Sequence, residues 1–246
     1  WVPFRTPGPR TYDEPILAGN RDLYDGQVAY VDRQLGRLLD AMDSRGLLDD
    51  TLVAVVADHG ENLGEHGFLY RHVGLYDTTT HVPLLIRWPG PSRPARRGHR
   101  YEGLVQTIDL FPTLLAAARL PVPDQDGIDL RRLANATGRR AVFAEHSNDT
   151  GAMVRTRDYQ YIVSRGNAAL PDGPSLFDLH ADPQELHNLA GQALPAQTHL
   201  AALLDAWLAQ RRPRPTAPNA QPSPHPLSPE DAARLRSLGY AGGGTR

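Results

Sequence analysis

Asp58, His59 and Gly60 stand where a short apolar run ends. The run, residues 51–57 (TLVAVVA), is β-branched in part and follows a helical pattern and a tight turn, so it reads as a buried parallel strand. In open α/β sheets, ligands gather outside the carboxyl ends of strands. A carboxylate beside an imidazole suits a divalent cation. Along a continuing strand, neighbouring side chains point to opposite faces; a glycine at 60 lets the chain turn so that both converge on one ion. The residues alone leave open a plainer account, an aspartate capping the next turn beside a surface histidine. Two ligands are also too few for a complete shell, so the rest must come from elsewhere.

The elements that position this pair are legible on both sides of it. Residues 1–15 are proline-rich and aperiodic, a loop. From 22 to 45, Leu23, Val28, Val31, Leu35, Leu38, Leu39 and Met42 recur at helical spacing, and Gly46 stands where a helix ends. A polar, glycine-rich loop runs to Asp77. Residues 81–88 (HVPLLIRW) read as the next strand, closed by Pro89-Gly90, and 91–101 as a basic exposed loop. A short strand at 104–107, Asp109 as an N-cap and Pro112 in the first turn of a helix over 113–118 complete an alternation typical of an α/β sandwich. After about Gly138 the pattern changes. Strands at 141–146, 152–164 and 175–179 follow without long helices between them, then an amphipathic helix at 198–210 around Leu200, Leu203, Leu204 and Trp207. A small antiparallel sheet with one covering helix is expected over 139–211. A proline-rich linker spans 212–229, and a short helix with a glycine-rich tail spans 230–246.

Composition removes several classes. Apolar residues make up 40% and charged residues 22% of the chain, the balance of a globular protein. A net charge of -2 gives no electrostatic case for nucleic acid or anionic lipid. No stretch approaches the roughly 20 apolar residues of a membrane span. Cysteine is absent and every basic residue other than histidine is arginine, which removes disulfides, thiolate metal sites, a cysteine-derived nucleophile and a Schiff-base lysine from these residues. The chain opens at Trp1 with no leader pattern and reads as a piece of a longer protein.

The motifs resemble the sulfatase family of the alkaline phosphatase-like superfamily. Tyr24-Asp25-Gly26 and Val28 to Asp32, with Gly36-Arg37-Leu38-Leu39, are similar to the helix ahead of its metal strand. Asp58-His59-Gly60-Glu61 with Leu63-Gly64-Glu65-His66-Gly67 is similar to its metal motif. His81-Val82-Pro83-Leu84 through Trp88-Pro89-Gly90 resembles its next strand, and Asp109-Leu110 with Pro112 to Leu115 the helix after that. Leu176-Phe177-Asp178-Leu179, Asp182-Pro183 and Glu185 to Leu189 resemble its C-terminal signature, and Leu235-Arg236 to Tyr240 a tail common in bacterial members. No one tripeptide is decisive; their shared order is specific.

The resemblance implies the C-terminal part of an alkaline phosphatase-like α/β/α sandwich over 1–138, followed by the small subdomain. It implies hydrolysis of a sulfate ester, on a small molecule or a glycan, by a formylglycine hydrate made from a C/S-x-P-x-R signature upstream of this chain. One divalent cation, calcium or alternatively manganese, holds sulfate and nucleophile. Asp58 and His59 match the later half of the family's ligand set, whose earlier half is an upstream Asp-Asp pair. His59 departs from the commoner asparagine, a variant also found in phosphonate monoester hydrolases of the superfamily. His72 precedes Gly74-Leu75-Tyr76-Asp77, where the family places a Lys or His that contacts ester oxygens or protonates the leaving group; an imidazole does both. Arg71 competes for that register.

His66 is read as local loop structure, His81 as a buried hydrogen-bonded side chain, and His146, His180 and His187 as structural. Glu61 and Glu65 are read as supporting or solvated. Trp1 occupies the histidine position of the family's H-x-P-[YF]. Ser92-Arg93-Pro94-Ala95-Arg96 spells S-x-P-x-R but follows the metal strand and has no helix behind it to favour an anion, so it is rejected as the nucleophile. The family habit is a periplasmic or other extracytoplasmic site, and the lysine-free composition looks bacterial. Two N-x-T sequons, at Asn135 and Asn148, therefore carry little weight. The alternatives are a phosphonate or phosphate diester hydrolase and a non-catalytic sulfatase-like binding module; oligomeric state is open.

Overall fold

A computed structural model describes residues 11–90, 98, 100–135, 138–146, 151–164, 170, 173–210, 228 and 230. The chain divides into two compact units, Trp1–Leu208 and Ala209–Arg246. The elements below lie in the first, the last two residues of the final helix excepted. The W-x-P-F opening, Ser92 and nearly all of 212–246 lie outside the described residues, as do the two sequons, wholly or in part.

Helix α1 runs from Glu14 to Asp43, starting earlier than the periodicity predicts because Pro15 is accommodated in its first turn. At its end Gly46 takes a left-handed φ of 65°, and the Leu47 N–H reaches back to Met42 O at 3.0 Å. No residue of α1 is buried. Leu23 and Val31 are 64% and 62% exposed, whereas Leu35, Leu39 and Met42 are half-buried, so the first half of the stripe that sets the helical period lies at the surface.

Strand β1, Val53–Val56, pairs with β4, Leu84–Arg87, in antiparallel register from Val53↔Arg87 to Val56↔Leu84. This corrects the expectation of a buried parallel strand. A parallel return needs a crossover, commonly a helix, that carries the chain back to the start of the first strand. Between β1 and β4 lie only the hairpin of β2 (Asn62–Leu63) and β3 (Leu69–Arg71), and the single turn of α2 (Asp77–Thr80). The chain therefore re-enters at the end it left. Most of β1 is half-buried and Val56 is exposed.

Residues 104–107 do not form a strand; Leu104 makes an isolated bridge to Arg139. A 3-10 turn, Thr107–Asp109, leads into α3, Leu110–Ala117. Asp109 does not cap α3 with its side chain. The carboxylate is fully buried, so it turns back to satisfy itself. It accepts the Gln106 N–H at 2.9 Å and the Ile128 N–H at 2.8 Å, and pairs with Arg139.

The antiparallel sheet expected in the second half is present. It comprises β5 (Val142–Glu145), β6 (Gly151–Arg155), β7 (Tyr159–Ser164) and β8 (Pro174–Asp178), ordered β5-β6-β7-β8. Helix α4, Pro195–Gln210, packs on one face through buried Leu200 and Leu204, with Leu203 and Trp207 half-buried beside them. Trp207 stacks on Phe143 with ring centroids 5.0 Å apart. The other face holds Met153, Ile162 and Phe177 against Leu75 and Tyr76, two residues of the loop that follows His72. Among the described residues, no helix is long and apolar enough to cross a membrane.

Candidate active site

Asp58 lies two residues past the carboxyl end of β1. The His59 N–H donates to Asp58 Oδ1 at 3.0 Å, folding the carboxylate back beside its neighbour. His59 Nδ1 lies 2.8 Å from Gly60 O. A carbonyl only accepts, so Nδ1 carries a proton, and in the neutral ring Nε2 is the nitrogen with the lone pair. That nitrogen stands 3.8 Å from Asp58 Oδ2. The two side chains thus share one face.

Gly60 works by close approach. Its N–H donates to Thr79 O at 2.9 Å, and a Cβ there would fall 2.0 Å from Thr78 O. No other residue type lets the end of β1 lie so close to α2.

His72, exposed and just past β3, stacks on His59 with centroids 4.1 Å apart and planes inclined by 25°. Partial burial lowers its pKa; a charge on His59 lowers it further, against the opposing effect of Asp58. Asp58, His59 and His72 therefore form one cluster at the mouth of the β2–β3 loop. Glu61 sits in the same turn with a buried Oε1 that has no hydrogen-bond partner. Burial raises its pKa, against the Asn62 N–H and a charge on His59.

A divalent cation fits this donor set in part. Two atoms bound to one calcium ion at a little over a right angle stand about 3.3–4.0 Å apart, which matches the separation of Asp58 Oδ2 and His59 Nε2. Among the described residues no group of three or more His, Cys, Asp or Glu is arranged to hold a metal. The pair supplies a fraction of a shell.

The other singled-out residues fall away from the cluster. His66, at a left-handed φ of 53°, stacks on Tyr76 with centroids 3.5 Å apart, and burial lowers its pKa. Glu65 Oε2 accepts the Leu63 N–H at 2.5 Å within the loop. His81 is hydrogen-bonded, its Nδ1 lying 3.3 Å from Asp77 Oδ2, but exposed, which corrects the expectation of burial. It follows the last turn of α2 rather than opening a strand, and β4 begins at Leu84. His180 pairs with Asp158 and His187 with Asp182 on the small sheet's surface.

Three contacts that sequence reasoning missed hold the loop after His72. Gln160, fully buried on β7, donates from Nε2 to Leu75 O at 2.8 Å. Arg155 pairs with Asp77 at 2.6 Å. Glu185, 3% exposed, accepts the Asp77 N–H at 2.6 Å. Burial raises the Glu185 pKa to about 7, and charges on Asp77 and Asp182 raise it further against the Asp77 N–H and Arg155. The partners lie far apart in the chain, and no local pattern pairs them.

Residues 3–120 match the family model for sulfatases, and residues 64–213 that for the C-terminal region of N-sulphoglucosamine sulphohydrolase. The chain belongs to the sulfatase family. An arylsulfatase of Clostridium perfringens is 31% identical over 174 residues, covering 68% of this chain and 35% of its own length. Arylsulfatase K of Homo sapiens is 31% identical over 185 residues, covering 69% of this chain and 33% of its own. Among solved structures, a putative sulfatase from Bacteroides thetaiotaomicron has a TM-score of 0.67 at 28% identity, covering 81% of this chain and 44% of its own. BT4656, solved with its substrate D-glucosamine-2-N,6-O-disulfate, has a TM-score of 0.60 at 28% identity, covering 74% and 39%. This sulfatase chain spans about a third of the length of the curated relatives it matches.

Proposed function

We propose that the chain carries the later half of the active site of a sulfate-ester hydrolase that acts on a sulfated sugar or aryl sulfate. The observation that carries this reading is the convergence of Asp58, His59 and His72 at one strand end, on a chain with sulfatase relatives. A neighbour bound to a disulfated glucosamine supports a sulfated sugar.

In this reading Asp58 Oδ2 and His59 Nε2 hold a divalent cation, calcium or manganese, together with ligands from outside these 246 residues. When bound, that ion acts as a Lewis acid and charge clamp on the sulfate. Asp58 brings the negative charge that draws it in. The Gly60 carbonyl engages His59 Nδ1, which leaves Nε2 as the nitrogen that would bind the ion. His72, held against the His59 ring, presents an imidazole N–H to an ester oxygen and holds the proton that the leaving group takes up. The nucleophile, a formylglycine in this reading, also comes from outside this cysteine-free chain. These residues alone therefore turn nothing over.

Calorimetric titration of the chain with calcium and manganese tests the ion site. Binding that is lost in Asp58→Ala and in His59→Ala but kept in His72→Ala supports the reading; binding unaffected by Asp58→Ala overturns it. In the longer polypeptide that holds this chain, turnover of a chromogenic aryl sulfate tests the reaction. His72→Ala should lower kcat about 100-fold, the lower end of what a positioned acid contributes. His59, in place of the commoner asparagine, favours a second reading as a phosphonate monoester hydrolase. Turnover of a phenyl phosphonate ester in preference to the sulfate decides for it.

A further inference from the structure

We propose that Asn62 is the positioning residue for His72. The Asn62 side chain is fully buried. Its Nδ2 donates to Arg71 O at 2.5 Å and to Val73 O at 3.1 Å. These are the two carbonyls that flank His72. Its Oδ1 accepts the Thr78 hydroxyl at 2.7 Å. The network fixes the orientation of the amide: exchanging its oxygen and nitrogen would set an acceptor against two carbonyls. Both N–H donors are spent on main-chain carbonyls, and the oxygen is engaged by the Thr78 side chain.

In extended backbone the carbonyls before and after a residue point to the same edge. One amide that grips both limits the backbone torsions of the residue between them. His72 is that residue. Asn62 is itself held where His59 is held. It stands three residues after His59 in the chain and pairs with Arg71 in the β2–β3 register. One side chain therefore ties the loop carrying His72 to the turn carrying His59, and the 4.1 Å stack of the two rings is the outcome. The consequence for turnover rests on the proposed role of His72; the placement of the ring does not.

The test is proton NMR of the chain with labelled histidine, the two rings assigned through His72→Gln and His59→Gln. Stacked imidazoles shift each other's ring protons upfield. Asn62→Ala should remove that displacement at both rings and leave the Trp207 indole resonance on the small sheet unmoved. Asn62→Asp keeps the size and the Thr78 acceptor but loses both donors, and should remove it as fully. Thr78→Val keeps both donors and should retain it. A stack that survives Asn62→Asp in folded protein overturns the proposal, as does a stack lost equally in Thr78→Val. Should both Asn62 variants fail to fold, the wild-type chain decides. Its two Nδ2 protons must exchange slowly with water and show contacts to the main chain around His72; fast exchange overturns the placement. In the longer enzyme, Thr78→Val should keep kcat while Asn62→Asp lowers it about tenfold with KM little changed, the pattern of a group displaced from transition-state contact. An inert parent enzyme with the NMR result intact would sink the functional reading and leave the placement standing.

Discussion

The imidazole of His59 lies on that of His72, centroids 4.1 Å apart, with the whole β2–β3 hairpin between them in sequence. The stack joins a strand end to a loop end. It depends on how closely the backbone after β1 approaches α2, and that approach is the first thing to perturb.

Gly60→Ala places a methyl 2.0 Å from the Thr78 carbonyl oxygen. Main chain must move, because neither partner is a flexible side chain. We expect a loss of about 2–4 kcal/mol by urea unfolding. Unchanged stability would count against the close approach.

Glu185 supplies a pH dependence with a definite sign. Burial raises its pKa from 4.5 to about 7 in the folded chain. The folded state therefore holds a proton that the unfolded state has lost. This stabilising contribution is fully present below pH 4.5 and disappears as pH rises through about 7. Glu185→Gln keeps an oxygen for the Asp77 N–H and removes the ionisation. It should match wild type near pH 4.5 and exceed it at pH 8 by about 3 kcal/mol, because each tenfold difference in proton affinity between the two states is worth about 1.4 kcal/mol. Urea curves at the two pH values measure the difference.

The small sheet offers a graded pair of core substitutions. Leu204 is 1% exposed, and Leu204→Ala should cost about 2–5 kcal/mol. Trp207 is only half-buried, and its stack on Phe143 adds about 1 kcal/mol to its burial. Trp207→Ala should therefore cost less than Leu204→Ala, on the order of 1–3 kcal/mol. The reverse ranking by thermal or urea unfolding would show that α4 is anchored by the tryptophan.

Arg139→Met leaves the buried Asp109 carboxylate without its charge partner. The expected loss is about 3–5 kcal/mol. Asp109→Asn in the same background should recover part of it, because the stranded charge is gone. A double-mutant cycle by urea unfolding reads the coupling.

Much of this fold is legible in the residues alone. Those at 51–57 announce a strand because β-branched side chains fit a pleated surface, and Asp58 and His59 follow its end as the strand-end rule requires. The strands without long helices between them at 141–179 announce the antiparallel sheet, although the single strand expected at 152–164 is the pair β6 and β7, and the ordered motifs announce the family. The direction of β1 against β4 is not legible, since it depends on what the intervening residues can span rather than on either strand's composition. Asp109 reads as a cap from its position, yet its burial sends the carboxylate to Gln106, Ile128 and Arg139. Asn62 falls in what reads only as a polar loop; its partners Arg71, Val73 and Thr78 are brought to it only by the fold.

Asn62 and Gln160 hold the chain between them by main-chain oxygens, those of residues 71, 73 and 75. Every amino acid carries that oxygen in the same place. A grip of this kind is blind to side chains, so those at 71 and 73 can be exchanged while the histidine stays where it is; Leu75 is fixed separately, by its burial among Met153, Ile162 and Phe177. Divergence in what the mouth of this site admits is thereby uncoupled, over generations of substitution, from the placement of the ring behind it.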